Sequence, residues 1–333
     1  MLSLNNKTIL ITGGTGSFGQ EFCKIILKKY KKIKKLIIFS RDELKQFNMS
    51  LQKEFLTNPK VRFFLGDVRD KDRLARAFND VDIIIHAAAL KQVPAAEYNP
   101  TEFIKTNVIG AQNIIEVAID KKIKQVIALS TDKAVSPVNL YGATKLCSDK
   151  LFIAANDYGL GLNKFSVVRY GNVISSRGSV IPKFKDINKK NISHKFPITD
   201  EDMTRFLISL KNGVETVLFA LTHQIGGEIF VPKMPSCRVI DICEAINKQR
   251  KIEIVGIRPG EKLHEEIIPQ TDSLDTINLK NFYIIIANNL NKKRIKNHFK
   301  KKFDISNVDK NFSYNSNENK FLDIKQIKSI LED

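Results

Sequence analysis

Cysteine is scarce and unpatterned in this chain. Cys23, Cys147, Cys237 and Cys243 show no C-x-x-C spacing, and five histidines add no recognisable ligand set, so the sequence spells out no metal site and the cysteines read as reduced thiols. No apolar run approaches the length of a membrane span, and residues 1–7 lack the hydrophobic region of a signal peptide; the expectation is a cytoplasmic protein without a membrane partner. Acidic residues are also in short supply, 36 against 54 basic ones, for a formal net charge of +18. Such an excess draws polyanions, but here it is spread as lysine beside abundant Asn and Ile, as an A and T rich coding sequence would produce. No aromatic RNA platform or helix-turn-helix accompanies it. The expectation is no nucleic-acid partner, with a positive field that helps gather an anionic small molecule.

What the chain does have is glycine in one telling place. The apolar run Lys7 to Thr12 leads into Gly13, Gly14, Thr15, Gly16, Ser17, Phe18 and Gly19, and an amphipathic helix is expected from about Gln20. The segment fits G-x-G-x-x-G through Gly14, Gly16 and Gly19, and G-x-x-G-x-x-G through Gly13, Gly16 and Gly19. Either way it permits a tight turn and close approach of a dinucleotide pyrophosphate to the helix start. The second apolar run, Lys35 to Ser40, ends where an acidic residue would grip the 2'-hydroxyl of NAD. Ser40, Arg41 and Lys45 stand there instead and favour the 2'-phosphate of NADP, while nearby Asp42 keeps NAD open. Two further strands are expected, Val61 to Leu65 followed by Gly66, Asp67 and Val68, and Val81 to His86 followed by Ala87, Ala88 and Ala89. Asp67 would flank the adenine, the small residues would let backbone pass close to the cofactor, and His86 reads as a packed core histidine.

The stretch from Ser130 to Lys145 carries the reactive groups. Gln125 to Ser130 reads as a buried strand, so Thr131, Asp132 and Lys133 emerge at its carboxyl end, where open parallel sheets bind ligands. Tyr141 and Lys145 are spaced i, i+4 on one helix face, a pairing in which the ammonium would lower the phenol's pKa for proton transfer in alcohol oxidation. Tyr30 and Lys34 repeat that spacing by chance in a solvated basic turn. Strands alternating with helices through the first 170 residues predict an α/β fold with a doubly wound parallel sheet, of Rossmann type, and a smaller substrate-binding domain. The expected division assigns 1–172 and 206–232 to the cofactor domain and 173–205 and 233–282 to the substrate domain. Residues 283–333 form a Lys- and Asn-rich tail without chemistry, in which only Phe321 to Leu331 looks like a closing helix.

Between the halves, Tyr170, Gly171, Asn172 and Val173, then Arg177, Gly178, Ser179, Val180, Ile181 and Pro182, suit a second ligand lying across the cofactor. Met203 to Ala220 reads as a helix, and Gly226 to Val231 and Ile252 to Ile257 read as strands. The last delivers Arg258, Pro259, Gly260, Glu261 and Lys262, an arginine before a Pro-Gly turn that suits a diphosphate.

With these motifs in order, the chain resembles the extended short-chain dehydrogenase/reductases. More closely it resembles the soluble, inverting UDP-N-acetylglucosamine 4,6-dehydratases of pseudaminic acid biosynthesis. The resemblance covers about residues 5–268 through GGTGSFG, SRDELKQF, GDVRD, AEYNP, STDKA, NLYGATKL, RYGNV, SRGSV and IRPGEKLHE. It implies UDP-N-acetylglucosamine as substrate, tightly held and recycled NADP, loss of water across C5 and C6 after oxidation at C4, inversion at C5, and a homo-oligomer, a hexamer in that family. By motif position Tyr141 and Lys145 with Thr131 would serve C4 oxidation, Asp132 would protonate the departing C6 hydroxyl, and Lys133 would take the C5 proton. Glu43, Leu44 and Val173 join the cofactor set. Lys91, Asn172, Val180, Ile181, Pro182, Thr199, Arg205, Arg258 and Glu261 make up the substrate set. Retaining dehydratases carry Glu where Lys133 stands, and membrane-bound relatives carry Met at Tyr141. Gln92 departs from an expected His.

A base must be neutral, and the expectation is that Lys145 and Lys91 depress the pKa of Lys133 by like charge. The competing readings are a UDP-N-acetylhexosamine 4-epimerase, against which Asp132 with Lys133 argues, and an NADP-binding sensor without catalysis, against which Tyr141 and Lys145 argue.

Overall fold

The computed structural model describes residues 3–158, 161–174, 176, 179–190, 195–287 and 291–332. Its first half alternates as the apolar runs require. Strands β1 (Thr8–Thr12), β2 (Lys35–Ser40), β3 (Val61–Leu65), β4 (Ile83–His86), β5 (Gln125–Thr131) and β6 (Lys164–Tyr170) are separated by helices. These are α1 (Ser17–Lys29), α2 (Glu43–Ser50), α3 (Lys71–Ala77), α4 (Val93–Tyr98), α5 (Pro100–Phe103), α6 (Gly110–Asp120) and α7 (Leu140–Tyr158). A π-helical segment, Ile104–Ile109, joins α5 to α6, and a 3-10 turn, Asp132–Ala134, follows β5. β1, β4 and β6 are almost wholly buried, as expected of parallel strands covered on both faces.

Further along come β7 (Asn172–Val173), α8 (Val180–Lys190), β8 (Phe196–Ile198), β9 (Thr204–Ile208), α9 (Leu210–His223), β10 (Glu228–Pro232), β11 (Ser236–Arg238), α10 (Val239–Ile246), β12 (Ile252–Ile254) and β13 (Glu266–Ile268). The chain closes with β14 (Thr276–Asn278), β15 (Phe282–Ile286), α11 (Lys292–Lys300), β16 (Ser306–Asn307), β17 (Tyr314–Asn315) and α12 (Ile324–Glu332). Among the described residues the main sheet has ten strands in the order β16-β14-β15-β10-β6-β5-β4-β1-β2-β3. From β10 to β3 all pairings are parallel, and the order reverses direction at β1/β4, which makes the sheet doubly wound. α1 packs beside α9, while α3, α6 and α7 lie side by side. A second, smaller core gathers Ile181, Phe184, Phe196, Met203, Leu207, Val239 and Ile242 from α8, α10 and the short strands around them. No helix among the described residues is long and apolar enough to cross a membrane.

The structure corrects three sequence expectations. Residues 203–220 are not one helix. Thr204–Ile208 is a fully buried strand between β7 and β11, and α9 starts only after Ser209, whose hydroxyl caps it by accepting from the Asn212 amide at 3.1 Å. The unbroken apolar triplet Phe206, Leu207 and Ile208 fits either period, and tertiary pairing decides it. Helix α1 begins at Ser17 with Gly16 as its cap, so Gly19 lies inside it; a Cβ on Gly19 would sit 2.5 Å from Gly14, which is why the helix start hugs the strand. The segment beyond 282 is far from patternless: β15 pairs antiparallel with β10 and extends the main sheet, and Tyr314 packs on Phe206 with ring centroids 4.8 Å apart.

One close approach holds the site together. A Cβ on Gly142, in the first turn of α7, would lie 2.1 Å from the Lys133 carbonyl oxygen. Gly142→Ala must therefore push α7 off the 3-10 turn, at a cost of about 1–3 kcal/mol. Urea denaturation is expected to show the loss; an unchanged midpoint would contradict this packing account.

Candidate active site

The carboxyl ends of β1, β4, β5 and β6 open into one cleft of about 660 Å³, walled on the far side by α8, β9 and the 258–265 segment. Gly13, Thr15, Gly16, Ser17, Phe18, Gly19, Lys45 and Ala87 line one end of it. Gly13 has a φ of +66°, and a Cβ there would meet the Ala88 nitrogen at 2.8 Å and the Ala87 carbonyl at 2.9 Å. Only glycine serves both demands. The first turn of α1 holds no acidic residue and no side-chain cap, so its amides face the cleft as donors for an anion. Beneath, Thr12 Oγ1 accepts from the Ala87 and Ala88 amides at 3.2 Å and bonds His86 Nδ1 at 2.9 Å. Burial pushes His86 down to about 3, so it is a neutral structural ring. These features fit a dinucleotide.

At the β2 tip, Ser40 is buried and bonded by Gln46. Asp42 is occupied: one oxygen accepts the Lys45 amide at 2.9 Å to cap α2, and the other pairs with Lys45 Nζ at 2.5 Å. Arg41 lies 3.8 Å from Asp67, which is engaged mainly by Arg69 at 2.8 Å; burial works to raise the Asp67 carboxyl, and Arg69 and Arg41 outweigh it and lower it. Arg41 and Lys45 are half-exposed. Glu43 and Leu44 begin α2 on the rim, and Val68 is buried against Gly110.

At the end of β5, Thr131 Oγ1 donates to Asp132 Oδ1 at 2.9 Å and lies beside the Tyr141 phenol. Lys133 Nζ sits between two carboxylates, Asp132 Oδ1 at 3.0 Å and Glu265 Oε1 at 3.1 Å, and also donates to Asn172 Oδ1 at 3.3 Å. Burial opposes its charge, but the two carboxylates outweigh burial and raise its pKa, with Arg205 working against them. The expectation of a lysine depressed by its lysine neighbours is thus overturned. It is Lys91, lining the same cleft, that is lowered, by burial and by Lys133. A second correction concerns Tyr141. Burial pushes its phenol up to about 12, and the cation that opposes this is Lys133, not Lys145. Lys145 donates to the Leu129 carbonyl at 2.8 Å and is itself lowered by burial, with Asp149 holding it up.

Asp132 is fully buried behind the cleft wall. Its Oδ2 has no hydrogen-bond partner among the described residues and faces Gly171, where a Cβ would sit 3.4 Å away. The tighter neighbour there is Phe206, which a Gly171 Cβ would meet at 2.4 Å. Asn172, Val173, Val180, Thr199, Arg205, Arg258 and Glu261 join the cleft lining. Ile181 instead faces the second core, and Pro182 stays in the helix outside the cleft lining. Arg205 spends its guanidinium on the Thr204, Leu263 and Lys262 carbonyls and so builds the wall. Arg258 lies 3.6 Å from Glu261 and is half-exposed at the cleft edge. Arg177 and Gly178 lie outside the described residues. The residue that sequence reasoning missed is Glu265, the last position of IRPGEKLHE; its only local signal is a carboxylate just before a short strand.

The polysaccharide biosynthesis protein family matches residues 9–287. A UDP-N-acetylglucosamine 4,6-dehydratase (inverting) of Campylobacter jejuni is 54% identical over 282 residues, 84% of this chain and 83% of its own. A UDP-glucose 4-epimerase of Rickettsia bellii is 44% identical over 287 residues, 84% of this chain and 83% of its own. The crystal structure of Pen from Bacillus thuringiensis superposes with a TM-score of 0.89 at 33% identity, covering 99% of this chain and 98% of that one.

Behind Lys145, Asp149 Oδ2 accepts from Ser130 at 2.8 Å and pairs with buried Arg169 at 3.2 Å. Asp149→Asn would strand both Arg169 and Lys145 without their anion, a loss of about 3–5 kcal/mol for a broken buried pair. Urea denaturation measures it, and a variant as stable as wild type would contradict the assignment of Asp149 as their shared counter-charge.

Proposed function

The chain belongs to the polysaccharide biosynthesis protein family, and on that footing we propose that it is an inverting, NADP-dependent UDP-N-acetylglucosamine 4,6-dehydratase. Its product would be a UDP-2-acetamido-2,6-dideoxy-4-keto-hexose, the first step of pseudaminic acid biosynthesis by the resemblance. The observation that carries the reading is that Tyr141 and Lys133 line one cleft with a dinucleotide cradle, with Asp132 paired to Lys133 directly behind its wall. The 54% identity to the Campylobacter dehydratase supports it. A cytoplasmic homo-oligomer, a hexamer by the resemblance, belongs to the same proposal.

A nicotinamide dinucleotide bound along Gly13 to Gly19 supplies oxidation at C4 and reduction at C6. Tyr141 accepts the C4 hydroxyl proton, with the Lys133 charge lowering the cost of its phenolate. Lys145 adds positive charge at the same corner. A ketone at C4 acidifies the C5 hydrogen; Lys133 takes it, and Asp132 gives its proton to the leaving C6 hydroxyl. Arg258 and Glu261 sit at the cleft edge, where a diphosphate would be held by bidentate contact. Asp42 is consumed in capping α2 and pairing Lys45, which leaves Arg41 and Lys45 as the groups to meet a 2'-phosphate.

The 44% identity to a UDP-glucose 4-epimerase favours a second reading, in which hydrogen returns to C4 and Asp132 and Lys133 stay idle. Run in deuterated water with UDP-N-acetylglucosamine and no added cofactor, the protein is expected to give a 6-deoxy-4-keto sugar carrying deuterium at C5 by NMR. Lys133→Ala should cut dehydration by roughly 10² to 10⁴, and the reduced-nicotinamide absorbance should fall with it, because the same charge supports the Tyr141 phenolate. UDP-N-acetylgalactosamine without deuterium at C5 would establish the epimerase instead. For the cofactor, calorimetry on stripped protein should show NADP bound at least about tenfold more tightly than NAD, because a charge-assisted hydrogen bond contributes about 1.5–3 kcal/mol. Replacing Arg41 and Lys45 together by Ala should erase the difference. Equal or tighter NAD binding by wild type would refute it.

A further inference from the structure

The dehydratase reading asks two things of neighbouring groups that their resting state does not provide. Asp132 must be a carboxylic acid and Lys133 must be an amine, yet they face each other at 3.0 Å as an ion pair. The structure offers a third group. Glu265 is 3.1 Å from the same Nζ, its side chain is 3% exposed, it lines the cleft, and its Oε2 has no hydrogen-bond partner among the described residues. Asn172 also reaches Nζ, but an amide oxygen does not hold a proton at working pH.

We propose that Glu265 is the counter-ion that leaves Asp132 free to keep the acid's proton, and the acceptor for the proton Lys133 sheds before it acts on C5. The role rests on the dehydratase reading. Two carboxylates around one ammonium do not both stay ionised cheaply when buried; one takes a proton and the other carries the ion pair. With Asp132 protonated, Lys133 pairs with Glu265, and one proton hop across that hydrogen bond yields amine and carboxylic acid together.

The steps balance. Lys133 Nζ gives its proton to Glu265 Oε1 and then takes the C5 proton. The C5 electron pair forms the C5–C6 double bond as the C6–O bond breaks, and Asp132 protonates the leaving oxygen, which departs as water. The proton on Glu265 then passes through Lys133 to Asp132 and restores the starting state. Glu265 acts through Lys133 and is a positioning residue, of charge as well as geometry.

It is held for this from behind. The Glu265 amide donates to Ser316 Oγ at 2.9 Å, the Ser316 amide donates to the Glu265 carbonyl at 2.8 Å, and Ser316 Oγ bonds Thr204 Oγ1 at 2.7 Å. The Lys- and Asn-rich tail therefore supports the reactive centre. The charged and titratable groups facing Lys133 are Asp132 on the 3-10 turn, Tyr141 on α7, Lys91 after β4, Arg205 on β9, and Glu265.

The test compares wild type, Glu265→Gln and Glu265→Asp with UDP-N-acetylglucosamine, reading reduced-nicotinamide absorbance, dehydration rate and its pH profile. Glu265→Gln should keep the absorbance change, showing an intact fold and C4 oxidation, while dehydration falls about 100-fold near neutral pH. Its pH profile should differ from that of wild type, because the carboxylate that takes the Lys133 proton is gone. Glu265→Asp should restore much of the rate. A Glu265→Gln enzyme with wild-type rate and profile overturns the role, as does loss of the absorbance change together with dehydration, or an Asp variant no better than Gln. If wild type itself yields the 4-epimer, the dehydratase reading has failed and this role falls with it, a result distinct from the others because it is seen without any substitution.

Discussion

Lys133 is a partly buried ammonium in the cleft wall, and the two carboxylates beside it hold its charge. That requirement ties together parts of the chain that share no local pattern. Asp132 comes from the tip of β5, Glu265 from the residue before β13, Arg205 from β9, and Ser316, which pins Glu265, from the far tail. The ion pair therefore does for the upper edge of the sheet what apolar packing does for its centre, and it brings the second wall of the cleft to the end of the cofactor half.

Around that charge the backbone is fitted by omission of side chains. Gly13 lets the first turn pass the end of β4, Gly142 lets α7 close on the 3-10 turn, and Gly171 lets the end of β6 close on Phe206 of β9. Each is a contact that any Cβ would spoil, so the site's shape is written in glycines and its chemistry in the charged groups they admit. Phe18, by contrast, fills space between α1 and Tyr170, with ring centroids 6.4 Å apart.

Much of the fold was legible because β1 to β6 are short apolar runs, each followed by glycine, a charged residue or, after β4, alanines, and their periodicity is local. The cradle and the reactive triplet after β5 were legible for the same reason. Residues 203–220 misled because Phe206, Leu207 and Ile208 suit a helix or a buried strand equally. The tail misled because lysines and asparagines flank its apolar residues, and Ile284 and Phe299 both meet Phe230 of β10, a partner far back along the chain. The sign of the Lys133 shift was unreadable for a sharper reason. Counting neighbours along the sequence finds lysines, and the carboxylate that reverses the outcome lies far along the chain in Glu265.

The central claim is that Lys133 rests as a cation held between Asp132 and Glu265. Nitrogen NMR of protein labelled in its lysine side chains tests it, with Lys133→Met identifying the signal. The account predicts a hydrogen-bonded ammonium resonance for Lys133 at neutral pH, protected from exchange and persisting well above the pH at which Lys91 loses its proton. A neutral amine at Lys133 under the same conditions would contradict it.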